Sequence, residues 1–125
     1  MLKIPTILCL ITLSVLAVAH ALALEFFLYW KFWWFDIVMH FLGGVVIALG
    51  VFTLYDLRFP LPRRLKALVP ILAFTLIIAL LWEVFELLAG LVVLEEYHVD
   101  TSIDILMALL GATVGYHVAR NLEKL

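Results

Sequence analysis

Hydrophobic residues along this chain form four long runs, separated by short stretches rich in aromatic, polar or basic residues. A transmembrane helix needs about 20 predominantly apolar residues, and each run can provide them. The runs predict four membrane-spanning helices, at about residues 4–24, 33–55, 67–93 and 101–119. We therefore expect an all-α polytopic membrane protein, in which a bundle of four transmembrane helices forms one domain over residues 1–125.

The composition supports a membrane protein and excludes other classes. Hydrophobic residues make up 67% of the chain and the mean hydropathy is +1.22, whereas about 45–50% of residues are apolar in a soluble domain. The net charge is only -2 and no basic run is interleaved with aromatic residues, so no nucleic-acid partner is expected. Cys9 is the only cysteine, which excludes an intrachain disulfide and a cysteine-based zinc site.

The end of the first run has the small-residue pattern of a signal-peptidase site, Ala19-His20-Ala21. Two interpretations are open: a retained first helix, or cleavage after Ala21 that would leave three helices in the mature protein. The run is as long as a full span, whereas the apolar core of a signal peptide is shorter, and this favours the retained helix.

The positions of Lys and Arg predict the orientation. Lys31 lies between the first and second helices, in an aromatic segment at residues 26–34 that is typical of a membrane interface. The other basic residues all lie at the opposite ends of the helices: Lys3, Arg58, Arg63, Arg64, Lys66, Arg120 and Lys124. By the positive-inside rule, both termini are cytoplasmic, and we expect a location in the plasma membrane of a bacterium or an archaeon.

Two carboxylates, Glu83 and Glu86, lie three residues apart inside the apolar third helix. An acidic residue near the centre of a bilayer costs about 2.5–3.5 kcal/mol, so such a pair must face protein, water, a proton or a metal ion. In the four-helix topology, acidic residues and one histidine fall in the outer halves of three helices. The expected site residues are Asp36, His40, Glu83, Glu86, Asp100 and Asp104.

Small residues follow the same helix faces and indicate close helix packing. Gly111 and Gly115 form a GxxxG motif in the fourth helix, which serves either the internal bundle or a homo-oligomer. Asp100 and the two residues after it offer side chains that could cap the start of this helix.

The charge balance of the site favours a divalent metal ion. No Lys or Arg lies in the core of a span, and His40 is the only deep group that can become cationic. Carboxylates with one imidazole suit magnesium, manganese, iron or zinc, and helical bundles build metal sites from inward Glu and His. A bound ion could polarise a phosphoryl or carbonyl oxygen or generate a hydroxide. We expect no other cofactor, and the outer position favours a lipid or cell-envelope precursor as ligand; no residue is assigned a catalytic role.

Two other interpretations remain open for the same residues. A proton or cation path would need acidic residues in the inner halves of the helices too, and these carry none comparable. A structural or assembly subunit with a hydrogen-bonded polar core would tolerate amide replacements of Glu83 and Glu86, because hydrogen bonding survives the loss of charge.

Three segments resemble small integral membrane families related to YjdF and to the VanZ-like proteins: Asp36-Ile-Val-Met-His40-Phe41, Glu83-Val-Phe-Glu86, and Asp100-Thr-Ser-Ile-Asp104 with the following Ala-Leu-Leu-Gly111-Ala112. The VanZ-like families imply a role in low-level teicoplanin resistance, and the YjdF-type families imply no biochemical activity. VanZ-like proteins usually carry a basic residue where this chain has Ile37 and a glutamine where it has Glu86. The resemblance therefore implies the fold and the site positions rather than a reaction.

Overall fold

A computed structural model describes residues 1–90 and 97–125 of the chain. Its helices are α1 (Ile4–Glu25), α2 (Leu28–Lys31), α3 (Trp33–Asp56), α4 (Leu68–Ala89) and α5 (Tyr97–Leu122), with a short 3₁₀ turn at Arg63–Lys66. Four of these helices, α1, α3, α4 and α5, are long and apolar enough to cross a membrane. The prediction of an all-α, four-helix membrane protein is confirmed, and the described residues contain no strand.

The ends of two helices differ from the sequence-based expectation. α4 ends at Ala89 because Gly90 adopts a left-handed conformation, with φ 69°, and its N–H bonds to the carbonyls of Glu86 and Leu87. The expected extension over residues 91–93 lies outside the described residues. α5 begins at Tyr97, so Asp100 lies in its first turn rather than capping it.

The backbones of α3 and α5 are in direct contact through glycine. A Cβ atom at Gly44 would lie 1.9 Å from the carbonyl oxygen of Ala108, and one at Gly111 would lie 1.9 Å from that of Phe41. Gly115 likewise faces Val45 of α3. The GxxxG face of α5 is thus covered by α3 of the same chain, and the homo-oligomer expected through Gly111 and Gly115 is not supported.

The two ends of the bundle differ in charge. At one end, which we call the basic end, the backbone N–H of Lys3 and the hydroxyl of Thr6 donate to Asp56 Oδ2 over 2.9 and 2.6 Å, joining α1 to α3. Lys66 pairs with Glu123 at this end, which therefore holds both termini and the connection between α3 and α4. The opposite end, where α1 and α4 finish and α3 and α5 begin, is called the acidic end.

Large apolar side chains cover the outside of the bundle. Leu88 and Trp33 are each 82% exposed, and Val69 is 76% exposed. The described core is mostly small or medium-sized and lies where α1, α3, α4 and α5 meet, around Ala48 and Ala112. Such an outer surface requires a lipid environment, and the chain is a multi-pass membrane protein.

Candidate metal centre

His40 lies at the centre of a polar cluster near the acidic end. Its Nε2 atom is 3.5 Å from Asp36 Oδ1, 3.8 Å from Glu83 Oε1 and 3.8 Å from Asp104 Oδ2. These residues come from α3, α4 and α5. The structure therefore brings together four of the six residues expected from the sequence, with three carboxylates around the imidazole nitrogen of His40.

Helix geometry and the α3–α5 contact explain this convergence. Asp36 and His40 are one turn apart, so they share a face of α3. Gly44 lies one turn below His40, and Ala108 lies one turn below Asp104. Because Gly44 lets the carbonyl of Ala108 approach closely, Asp104 is held beside His40 one turn above.

On α4, Glu83 belongs to a buried stripe of residues at four-residue spacing. Thr75, Ala79 and Glu83 are 0%, 5% and 3% exposed. The residues that flank Glu83, Trp82 and Val84, are exposed, as expected for positions on the lipid-facing side. The small side chains of Thr75 and Ala79 make this the face of α4 that packs inward, and it carries Glu83 into the bundle.

Two buried carboxylate oxygens in the cluster have no hydrogen-bond partner. Glu83 Oε2 accepts a hydrogen bond from the hydroxyl of Thr101 over 2.7 Å, but Glu83 Oε1 has no partner. Asp104, which is 2% exposed, has an unpartnered Oδ1. Buried polar atoms in folded proteins are almost always paired, so these two oxygens are candidate ligand atoms.

The remaining expected residues lie at the edge of the cluster. Glu86 is half-buried and accepts a hydrogen bond from Trp82 Nε1 over 2.8 Å, while Asp100 is exposed. The six residues form three overlapping groups whose potential ligand atoms lie within 4.8 Å of one another: Asp36, His40 and Glu86; His40, Glu83 and Asp104; Asp36, Asp100 and Asp104.

The cluster is not neutralised by basic side chains in the described part of the chain. Lys66 and Glu123 form the one described ion pair that involves a lysine or arginine, and they lie at the basic end. All the other described pairs join His40 to a carboxylate. The cluster thus combines five carboxylates with one imidazole, and the ionised forms of these carboxylates attract a cation.

Two further polar residues, His20 and Tyr29, lie beside the cluster and are not among the six expected site residues. His20 Nδ1 and the Tyr29 hydroxyl are 2.7 Å apart, and the His20 ring contacts that of Trp82 with centroids 6.1 Å apart. Burial raises the pKa of the Tyr29 hydroxyl, and the charges of Asp36 and Glu86 raise it further. Tyr29 lies in the aromatic segment at residues 26–34, which predicted a membrane interface, and His20 lies at the outer end of the first predicted helix.

A cavity of about 300 Å³ lies next to the cluster. Its wall is formed by α1, α3 and α4, with Ala108 of α5, and it includes Asp36 and His40 at one end. His20, Tyr29 and Trp82 also line it, so the hydrogen-bonded and aromatic contacts around His20 border the same space.

Comparison with known proteins places the whole chain in one family. The model of the family described as "Predicted membrane protein (DUF2238)" matches residues 1–124. The chain belongs to the DUF2238 family. No curated protein and no solved structure matches it.

The family match extends over all four membrane helices and therefore includes every residue of the cluster. The description of DUF2238 states a membrane location and no activity. For this member of the family, the chemistry must be inferred from the site.

Proposed function

We propose that this DUF2238 protein binds a divalent metal ion at the cluster around His40 and acts there on a lipid or cell-envelope precursor, in the plasma membrane of a bacterium or an archaeon. The observation that carries the proposal is the pair of buried, unpartnered oxygens, Glu83 Oε1 and Asp104 Oδ1. They belong to two helices, and the carboxylate groups that carry them each have an oxygen 3.8 Å from His40 Nε2. No Lys or Arg is paired with either carboxylate in the described part of the chain.

The distances within the cluster are too long for direct hydrogen bonds and lie at or slightly above those between ligands of one metal ion. Hydrogen bonds join heavy atoms at about 2.7–3.2 Å, whereas the oxygens of Asp36, Glu83 and Asp104 are 3.5–3.8 Å from His40 Nε2. Ligands bonded to one ion at about 2.0–2.2 Å lie roughly 3.0–3.5 Å from one another. His40, Glu83 and Asp104 would hold the ion, and Asp36 would complete the set.

A purely structural polar core accounts for the cluster less well. Thr101 and Trp82 satisfy one oxygen each of Glu83 and Glu86, but a structural network is expected to pair all of its buried members. The ion would supply Lewis-acid chemistry towards a carbonyl or phosphoryl oxygen. The protein would supply the ligands, the apolar wall of the cavity and the shielding from water.

We also propose that the chain is related to the YjdF-type and VanZ-like proteins. The motifs around Asp36 and Glu83 and along α5 support it, and DUF2238 membership is compatible with it. The expected orientation supports this class of ligand. With both termini in the cytoplasm, the cluster would lie in the outer half of the membrane, within reach of outer-leaflet lipids and envelope precursors.

The first test is elemental analysis of protein purified in mild detergent without chelator. We expect near-stoichiometric metal in the wild type and at least about a tenfold lower content after Glu83→Gln, because the amide loses the anionic oxygen of a ligand. Glu123→Gln, which changes a carboxylate at the basic end, is the matched control and keeps its metal. Negligible metal in all three proteins would refute the metal centre.

The second test addresses the reaction. Metal-loaded wild-type protein is incubated with envelope lipid extracts, and products are sought by mass spectrometry beside the Glu83→Gln variant. A product that forms with the wild type alone supports the enzyme, whereas bound metal without any product would reduce the proposal to metal binding.

A further inference from the structure

The cavity beside the metal centre is a lateral cleft between α1 and α4. The backbones of these two helices are nowhere adjacent in the described part of the chain, whereas α3 packs against both. Leu13, Leu16 and Ala17 of α1 form one side of the cleft, Ile78 and Ala79 of α4 form the other, and Gly43 and Ile47 of α3 lie between them. Leu13 is 46% exposed, so the side of the cleft borders the lipid-facing surface.

The size of the cleft fits one hydrocarbon chain. From Asp36 to Ile47 it extends over about 16 Å of α3, at a rise of 1.5 Å per residue. Its volume of about 300 Å³ is about twice that of a cavity that holds one benzene molecule, and it is at the lower limit of small-ligand pockets. An elongated apolar space of this size accepts one chain and excludes the second chain of a phospholipid.

The polar groups of the cleft are confined to its acidic end. They are Asp36 and His40 of the metal centre, together with the hydrogen-bonded pair His20 and Tyr29. No Lys or Arg is among the described residues that line the cleft. A phosphate at this end would face several carboxylates with only a bound ion to offset them, whereas a hydroxyl or an ester carbonyl adds no charge.

We propose that the cleft between α1 and α4 binds a lipid with a single apolar chain and an uncharged oxygen head, either a hydroxyl or an ester carbonyl. The chain lies between Leu16 and Ile78, and the head reaches the metal centre beside His20 and Tyr29. The lipid enters sideways from the bilayer, where the backbones of α1 and α4 are apart. This inference rests on the proposed function, because it names the substrate class of the same site.

The cleft can be filled without disturbing the backbone. A Cβ atom at Gly43 has no atom within 4 Å, and Gly43 lines the cleft. Gly50, two turns further along α3, has equally open surroundings but does not line the cleft. Gly43→Leu therefore fills the cleft, and Gly50→Leu is its matched control. The series Gly43→Ala, Gly43→Val and Gly43→Leu fills it in steps.

The experiment measures lipid binding by the fluorescence of Trp82, which lines the cleft. Trp30, Trp33 and Trp34 are replaced by Phe, and the protein is placed in nanodiscs of two-chain phospholipid. The probes are a long-chain fatty alcohol brominated in mid-chain, its phosphate monoester, and a brominated phosphatidylglycerol. Metal content is measured on the same samples by elemental analysis.

We expect saturable quenching by the alcohol, at least about tenfold weaker binding of the phosphate monoester, and no saturable quenching by phosphatidylglycerol. Gly43→Leu weakens binding of the alcohol at least about tenfold, because it displaces about two methylene groups from the cleft. The affinity falls stepwise along the Ala, Val, Leu series, and Gly50→Leu binds like the wild type.

Equal affinities in Gly43→Leu and Gly50→Leu, or unsaturable quenching by the alcohol in the wild type, would overturn the inference. Binding of the phosphate monoester as tight as that of the alcohol would overturn the claim that the bound lipid has an uncharged head group. Metal binding without saturable chain binding refutes the cleft and leaves the metal centre intact. If the protein binds the alcohol, Gly43→Leu weakens that binding and elemental analysis finds no metal, the metal centre is refuted and the cleft is supported.

Discussion

The two carboxylate oxygens of Glu83 have different surroundings, and this difference determines which oxygen is available to a ligand. Thr101 donates a hydrogen bond to one oxygen, which fixes the rotation of the carboxylate. The other oxygen then faces His40 and has no partner. A carboxylate that is oriented in this way loses little conformational freedom when it binds a cation, so Thr101 would orient Glu83 for the proposed metal ion.

Ionisation of the Tyr29 hydroxyl is expected to make the stability of the folded protein depend on pH in the alkaline range. Its pKa is raised in the folded protein by burial and by the charges of Asp36 and Glu86, whereas an unfolded tyrosine titrates near about 10. Because the folded pKa is the higher one, the stabilisation is present below about pH 10 and is lost as the pH rises further.

We therefore expect the melting temperature of the wild type to fall between about pH 9 and 11, and to fall less steeply after Tyr29→Phe. The variant also loses the hydrogen bond to His20, which lowers its stability at neutral pH. Thermal unfolding in detergent over this range measures both effects. Parallel pH profiles for the two proteins would contradict the role assigned to the Tyr29 hydroxyl.

The contact between α3 and α5 links the stability of the bundle to the geometry of the proposed metal centre. The two helices run in parallel from the acidic end, so a separation at Gly44 and Ala108 would also move Asp104 away from His40. The proposed function and the helix packing are thus coupled through Gly44, which is not one of the six candidate ligand residues.

Gly44→Ala tests this coupling. The added Cβ atom would meet a backbone carbonyl at 1.9 Å, so the helices must move apart. We expect a loss of about 1–3 kcal/mol in stability, as for other overpacked cores, together with weaker metal binding. Gly50→Ala adds the same atom in open space and is expected to stabilise α3 by about 0.5–1 kcal/mol with unchanged metal content. A stable Gly44→Ala variant that retains its metal would show that the two features are independent.

The four long apolar runs predicted the four long helices because membrane spans need continuous apolar sequence, but the runs predicted the helix ends less well. The start of α5 was missed because Tyr97, His98 and Asp100 form a polar stretch that is also compatible with a loop. The left-handed residue that ends α4, Gly90, could have been recognised as a C-cap.

Across the whole molecule, the depth of the acidic residues in the membrane could be predicted from the sequence, whereas the side-chain contacts between helices could not. Counting residues from the ends of the helices placed the acidic residues in one layer, and the small-residue stripes indicated the inward faces. The hydrogen bond from Thr101 to Glu83, and the one between His20 and Tyr29, join different helices. Such partners depend on how the helices rotate against each other, and that rotation is set by contacts such as the one between Gly44 and Ala108.

The asymmetry of charge between the two ends gives a test of orientation. Cys9 is buried, so the natural cysteine can be replaced by Ala to give a background without thiols. In that background, we expect Lys31→Cys to react in intact cells with a membrane-impermeant maleimide, because Lys31 lies at the acidic end. Arg64→Cys lies at the basic end and should react only after the membrane is opened.

The opposite labelling pattern would place the metal centre in the cytoplasmic half of the membrane. It would leave the metal ligands and the cleft as they are, since neither depends on orientation. The lipid that the cleft meets would then come from the inner leaflet, and the search for a substrate would move from envelope precursors to the lipids of the cytoplasmic face. Labelling therefore selects the lipid extracts with which the proposed reaction is tested.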